Sequence, residues 1–143
     1  MAEINHLFHI NAPREKVYEA ISTVDGLSNW WTKETNGSSK VGDEVAFSFG
    51  NHTTTMKVTE LKPNEMVQWE CVNGFPDWIG TTLSFKLDEN EGKTRVRFKH
   101  DNWKEADDFL AACSFSWSKY LESMRQLCQT GKGEAFGSDN YRR

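Results

Sequence analysis

The sequence predicts an α+β fold in which a curved antiparallel sheet of six to seven strands wraps around one long C-terminal helix. Three observations predict it. From about Glu105 to Thr130, Ala106, Phe109, Leu110, Cys113, Trp117, Tyr120, Leu121, Met124, Leu127 and Cys128 recur at steps of three and four, the spacing of one broad helical face. Between Glu44 and His100 the chain instead alternates apolar and polar residues, the period of half-buried strands. Short polar turns separate those segments, so consecutive strands pair as an antiparallel meander. About 26 helical residues at 1.5 Å each span roughly 39 Å. A helix that long needs an equally long apolar partner, and the sheet supplies it.

The elements follow in order. Ile4 to Asn11 alternates, with Ile4, His6, Phe8 and Ile10 on one face, and forms the first strand. Pro13 suits a first helical position, with Asn11 or Ala12 before it as cap, and Val17, Ala20 and Ile21 give a short helix its buried stripe to about Ser22. Asp25-Gly26 is expected to break that helix, and a second short one follows over Leu27–Trp31. Consecutive tryptophans point different ways on a helix, so one of Trp30 and Trp31 is expected inside and the other at a rim. Residues 32–43 read as a loop with room for a short strand. Strands are then expected over Glu44–Phe49, Thr53–Leu61, Met66–Val72, Ile79–Leu87 and Thr94–His100. Asp107 and Asp108 suit the first turns of the long helix, and Gly131 suits its stop. Residues 1–136 read as one domain and 137–143 as a loosely held tail.

Composition excludes several classes of function. No apolar run approaches 18 residues, so no membrane-spanning helix is expected. The start, MAEINHLFHINAP, lacks the layout of a signal peptide, which makes the cytoplasm the expected compartment. Net charge is −4 and no block of basic residues occurs, which argues against nucleic acid as a partner. Cys71, Cys113 and Cys128 are widely spaced, with no CxxC among them, and read as reduced core residues. The scattered His and Cys form no metal-ligand set, and no cofactor motif appears.

Several local patterns recur in a known family. Ala12-Pro13-Arg14-Glu15-Lys16-Val17-Tyr18 opens the first helix, and Leu27-Ser28-Asn29-Trp30-Trp31 closes the helix pair. Val41-Gly42-Asp43 precedes a strand, and Gly92-Lys93-Thr94-Arg95-Val96 opens the last one. Trp117-Ser118-Lys119-Tyr120-Leu121 and Thr130-Gly131-Lys132-Gly133 complete the set. In this order and spacing they resemble the family related to the activator of heat-shock-protein-90 ATPase. That family lies in the SRPBCC superfamily with the START-like or helix-grip fold, which is pollen-allergen-like. The resemblance covers about residues 4 to 136. It implies a cavity between helix and sheet, but no single activity, because the superfamily includes lipid carriers, cyclases, oxygenase domains and cochaperones. In the cochaperone a separate chaperone-binding domain precedes such a domain; here the chain starts almost at the first strand, which lowers the expectation of that role.

A cavity of this kind must hold something. An empty dry void of about 300 Å³ would cost about 7 kcal/mol at about 24 cal/mol per Å³. Either it accepts an apolar or aromatic molecule, or Trp and Phe side chains plug it. The candidate lining residues from the inward strand faces are Phe47, Phe49, Met56, Trp69, Cys71, Leu83, Phe85 and Phe98. From the long helix they are Phe109, Cys113, Trp117 and Tyr120, with Trp30 or Trp31 at the mouth. For any one of them plain core packing is an equal reading. Phe75, Trp78 and Trp103 lie in or beside loops and suit a gate or the edge of the core. His100, inward after Val96 and Phe98, suits a ligand-binding group, an acid–base group or a satisfied core histidine. His6 lies on an apolar face, and His9 and His52 read as exposed.

The first functional expectation is binding of a small apolar or aromatic ligand, lipid-like or an aromatic metabolite. The second is a chaperone-associated interaction module. The third is a cavity enzyme of cyclase or hydrolase type, for which no GxSxG, HExxH, P-loop, GxGxxG or carboxylate pair is present.

Overall fold

The computed structural model describes residues 1–142. In chain order the elements are β1 (Ala2–Ile10), α1 (Arg14–Ser22), α2 (Val24–Trp30), β2 (Glu34–Gly37), β3 (Glu44–Phe49), β4 (His52–Lys62), β5 (Met66–Asn73), β6 (Thr82–Asn90), β7 (Lys93–Trp103) and α3 (Asp108–Thr130). One seven-stranded antiparallel sheet runs β1-β7-β6-β5-β4-β3-β2. The expected fold is the observed one. Because β1 pairs with β7, the first and last strands close together, and β1 and β2 are left as the two edges. Inward residues of the sheet, among them Phe47, Met56, Trp69, Leu83, Phe85 and Phe98, are fully buried beneath Trp117, Leu121, Met124 and Cys128 of α3.

Several boundaries differ from the sequence reading, each for a local reason. The break between the short helices falls at Thr23 rather than Asp25-Gly26. Thr23 is extended (φ −124°, ψ 148°), and its hydroxyl accepts the Gly26 N–H at 2.9 Å as the N-cap of α2. Gly26 instead lies inside α2, where a Cβ would stand 2.6 Å from the Glu19 carbonyl oxygen. Pro13 occupies the N-cap of α1 rather than its first turn, and no side chain caps that helix. Residues 79–81 form a turn through Gly80 (φ +89°) instead of the start of β6. β7 runs on to Trp103, and α3 begins at Asp108 because the Asp107 carboxylate caps the Leu110 N–H at 3.0 Å.

Both Trp30 and Trp31 are buried, at 0% and 2% exposure, where one was expected at a rim. Each finds its own buried partners, Trp30 the Ala20 carbonyl and Phe85, and Trp31 the rings of Phe47 and Trp69, with the two indoles 6.1 Å apart at 14°. The segment after α3 returns across this point. Phe136 bridges to Thr32, donating to the Trp31 carbonyl at 2.9 Å and accepting from the Lys33 N–H at 3.0 Å. Tyr141 then reaches α3, where the Lys119 Nζ donates to its hydroxyl at 2.7 Å.

Candidate functional site

The helix–sheet interface is divided by Trp31. On its inner side Trp31 packs against Phe47 (centroids 4.3 Å apart) and Trp69 (6.2 Å, 5° between planes), and Trp69 meets Phe85 edge-on at 5.3 Å. These rings fill the inner half of the interface. On the outer side a cavity of about 400 Å³ remains open. Its walls are Trp31, Phe49 and Phe136 on one side and Trp78, Phe75 and Phe109 on the other. The α3 face carrying Ala112, Cys113, Ser116, Trp117 and Tyr120 forms its roof, and His52 and Thr54 of β4 supply polar atoms.

Of the residues expected to line a cavity, the structure gathers Trp31, Phe49, Phe109, Cys113, Trp117 and Tyr120 around it. It places Phe47, Met56, Trp69, Cys71, Leu83, Phe85 and Phe98 in the solid core instead, behind the Trp31 plug. Trp30 faces away, its indole N–H donating to the Ala20 carbonyl at 2.8 Å. Among the expected gate residues, Phe75 and Trp78 line the cavity, whereas Trp103 is buried in β7. His52 is half-buried rather than exposed, stacked on Phe75 at 3.9 Å and bonded to Thr54 at 3.1 Å. His9 is also half-buried, 2.9 Å from the Asn90 amide. Ala112 and Ser116 carry a signal in the sequence, since they share a helical face with Phe109, Cys113 and Tyr120. Phe136 had none, because it sits in an aperiodic segment.

His100 is fully buried and lies outside the cavity lining. The Trp117 indole N–H donates to Nδ1 at 3.2 Å, so Nε2 carries the proton and donates to the Thr81 hydroxyl at 2.8 Å. That hydroxyl donates in turn to the Trp78 carbonyl at 2.5 Å. Burial lowers the imidazole pKa to about 3, which removes it as an acid or base near neutral pH. His100 therefore holds two cavity walls, Trp117 and Trp78, whose rings stack at 5.9 Å and 16°.

Burial raises the Cys113 thiol above its ordinary value, opposed by Trp78 and reinforced by Asp77 and Asp107. It is a poor nucleophile in that state. Burial, then the hydrogen bond to Tyr141, raises the Tyr120 phenol, so it remains a protonated polar group at the cavity wall. Cys71, Cys113 and Cys128 are free thiols. Among the described residues no helix is long and apolar enough to cross a membrane, and no cluster of three or more His, Cys, Asp or Glu side chains is placed to hold a metal. A second hollow of about 420 Å³ borders β1, β6 and β7, but Lys86, Arg97, Lys99, Asn5 and Ser84 make it a charged surface rather than an aromatic pocket.

The model of the family described as Activator of Hsp90 ATPase homolog 1-like protein matches residues 11–129. The Aha1 dimer from Colwellia psychrerythraea, solved in solution, is 41% identical, with a TM-score of 0.85 over 93% of this chain and 100% of that one. A Bacillus halodurans protein gives a TM-score of 0.75 at 23% identity, over 90% and 98% of the two chains. CalU16 from Micromonospora echinospora gives 0.73 at 16% identity, over 87% and 73%. For these last two the likeness is one of fold. No curated protein matches the chain.

Proposed function

The chain belongs to the Activator of Hsp90 ATPase homolog 1-like family, and from that premise we propose that it is a binding module whose cavity takes one small apolar or aromatic molecule. The aromatic-walled space of about 400 Å³ carries this reading. It lies within the usual range for small-molecule sites, about 300–1,000 Å³. Trp31, Trp78 and Trp117 offer flat ring faces, and aromatic pairs contribute about 0.5–1.5 kcal/mol each beyond area burial. The Tyr120 hydroxyl and the His52 imidazole supply the few polar groups that orient a bound molecule. Titration with neutral two-ring aromatics and with medium-chain lipids, followed by tryptophan fluorescence and native mass spectrometry, tests it. Saturable quenching at one ligand per chain is expected for one chemical class. Ala112→Trp, which fills the space from its rim, should weaken that binding at least about tenfold. Absence of saturable binding in every class would sink the reading.

The 41% identity to Aha1 favours a second reading, a module that acts on a heat-shock ATPase. It predicts a change in the ATPase turnover when the protein is added, and unchanged turnover at saturating protein counts against it. The same relative is a dimer, and we extend that state to this chain.

A further inference from the structure

The exposed large apolar residues are Met1, Leu7, Val41, Phe75, Ile79 and Phe115. Phe75 lines the cavity, Ile79 lies in the turn that precedes β6, and Val41 lies in the β2–β3 loop. Leu7 (61% exposed) and Phe115 (81% exposed) flank a different feature, the open edge of β1. Among the described residues the backbone of Ala2–His9 hydrogen-bonds only within the β1–β7 ladder. Natural edge strands are shielded by shortness, by lysine or proline, or by bulges. The other edge, β2, is four residues long and ends at Gly37. β1 is nine residues long, contains neither lysine nor proline, and is regular apart from a register shift between Ala2 and Ile4.

We propose that two copies of this chain dimerise by pairing their β1 edges antiparallel about a two-fold axis, with Phe115 beside that axis. The proposal rests on the dimeric reading above and names its surface. Full overlap of a nine-residue strand with its symmetry mate puts its middle residue, His6, on the axis. Glu3 then faces His9 of the second copy, and Asn5 faces Leu7 of the second copy, all on the sheet's outer surface. α3 marks the same point: the Ser114 hydroxyl lies 3.3 Å from His6 Nε2, and Phe115 follows it on the solvent side. Ser118, whose hydroxyl donates to the Phe115 carbonyl, continues beside a groove that runs along β1 to Arg125. Pairing would join two seven-stranded sheets into one and cover Leu7 and Phe115 of both copies.

Sedimentation equilibrium of the full chain, with hydrogen exchange measured at high and low protein concentration, tests the surface. A dimer is expected. Leu7→Lys and Phe115→Lys should each raise its dissociation constant at least about tenfold. Far-UV circular dichroism and the fluorescence titration should be unchanged, since both residues are exposed and outside the cavity. Alternate β1 amides should lose protection on dilution. A chain that stays monomeric at about 1 mM overturns self-association itself. A dimer indifferent to both substitutions, with β1 amides insensitive to concentration, overturns the β1 surface alone.

Discussion

Neutral His100 is the only form its surroundings accept. A second proton would sit at Nδ1, where the Trp117 N–H already points. Its folded pKa of about 3 lies below the ordinary histidine value of about 6.5. Between those values the unfolded chain binds the extra proton and the folded chain does not. Stability from this source is complete above about pH 6.5 and falls as pH drops toward 3, by up to about 1.4 kcal/mol per pH unit. Asp88 acts lower. Hydrogen bonding by Arg95 lowers it to about 2, so its contribution is lost only as pH falls from about 4 toward that value. Urea midpoints measured from pH 7 to about 5.5, above the range in which Asp88 and Glu122 titrate, isolate the histidine. His100→Gln, which can accept from Trp117 and donate to Thr81, should flatten that limb, and an unchanged slope would assign it elsewhere. His100→Ala should cost about 3 kcal/mol, through a cavity and two orphaned polar groups. The inward direction of His100 was legible from its alternation with Val96 and Phe98. Its role was not, because the Trp117 and Thr81 partners come from α3 and the β5–β6 turn.

At the scale of elements, periodicity carried the reading and local chemistry set the ends. The α3 stripe from Cys113 to Cys128 was plain at steps of three and four, but its start depends on which aspartate turns back to cap, and Asp107 does. The same limit moved the α1–α2 break to Thr23. Gly26 looked like a helix breaker because glycine is unfavourable in helix interiors. Its use is the close approach of α1 and α2, with a Cβ only 2.7 Å from the Ala20 Cα. Gly26→Ala should therefore destabilise by about 1–3 kcal/mol despite alanine's better helix propensity. Gly131→Ala offers a contrast. Nothing lies within 4 Å of its Cβ, but φ is +84°, so the cost should be backbone strain of about 1 kcal/mol. Chemical denaturation of both variants checks the pair, and a stabilised Gly26→Ala would mean that the helices separate without penalty.

The whole molecule places its cavity by a division of labour that no single segment shows. The inward strand faces were legible, yet they build mostly solid core, because Trp31 enters from the end of α2 and plugs the inner half. The open half depends on the chain's end. Phe136 packs on Phe49 at 5.4 Å and on Tyr141 at 5.2 Å, while Tyr141 stacks with Tyr120 at 6.3 Å. Lys119 lies over the Tyr141 ring at 4.4 Å and donates to its hydroxyl. The segment thus forms one wall and braces Tyr120, so its removal should act on the cavity more than on the core. A chain ending at Gly133 should retain the sheet and α3 by circular dichroism, since Leu121, Met124 and Cys128 of α3 still pack into the core. It should lose affinity for a two-ring ligand by at least about tenfold, through the missing Phe136 face and a freed Tyr120. Phe136→Ala alone, leaving the main-chain bridge to Trp31 and Lys33, should fall between the two. Equal affinity in all three chains would mean that the ligand sits against Trp78 and Trp117 and never reaches the C-terminal wall.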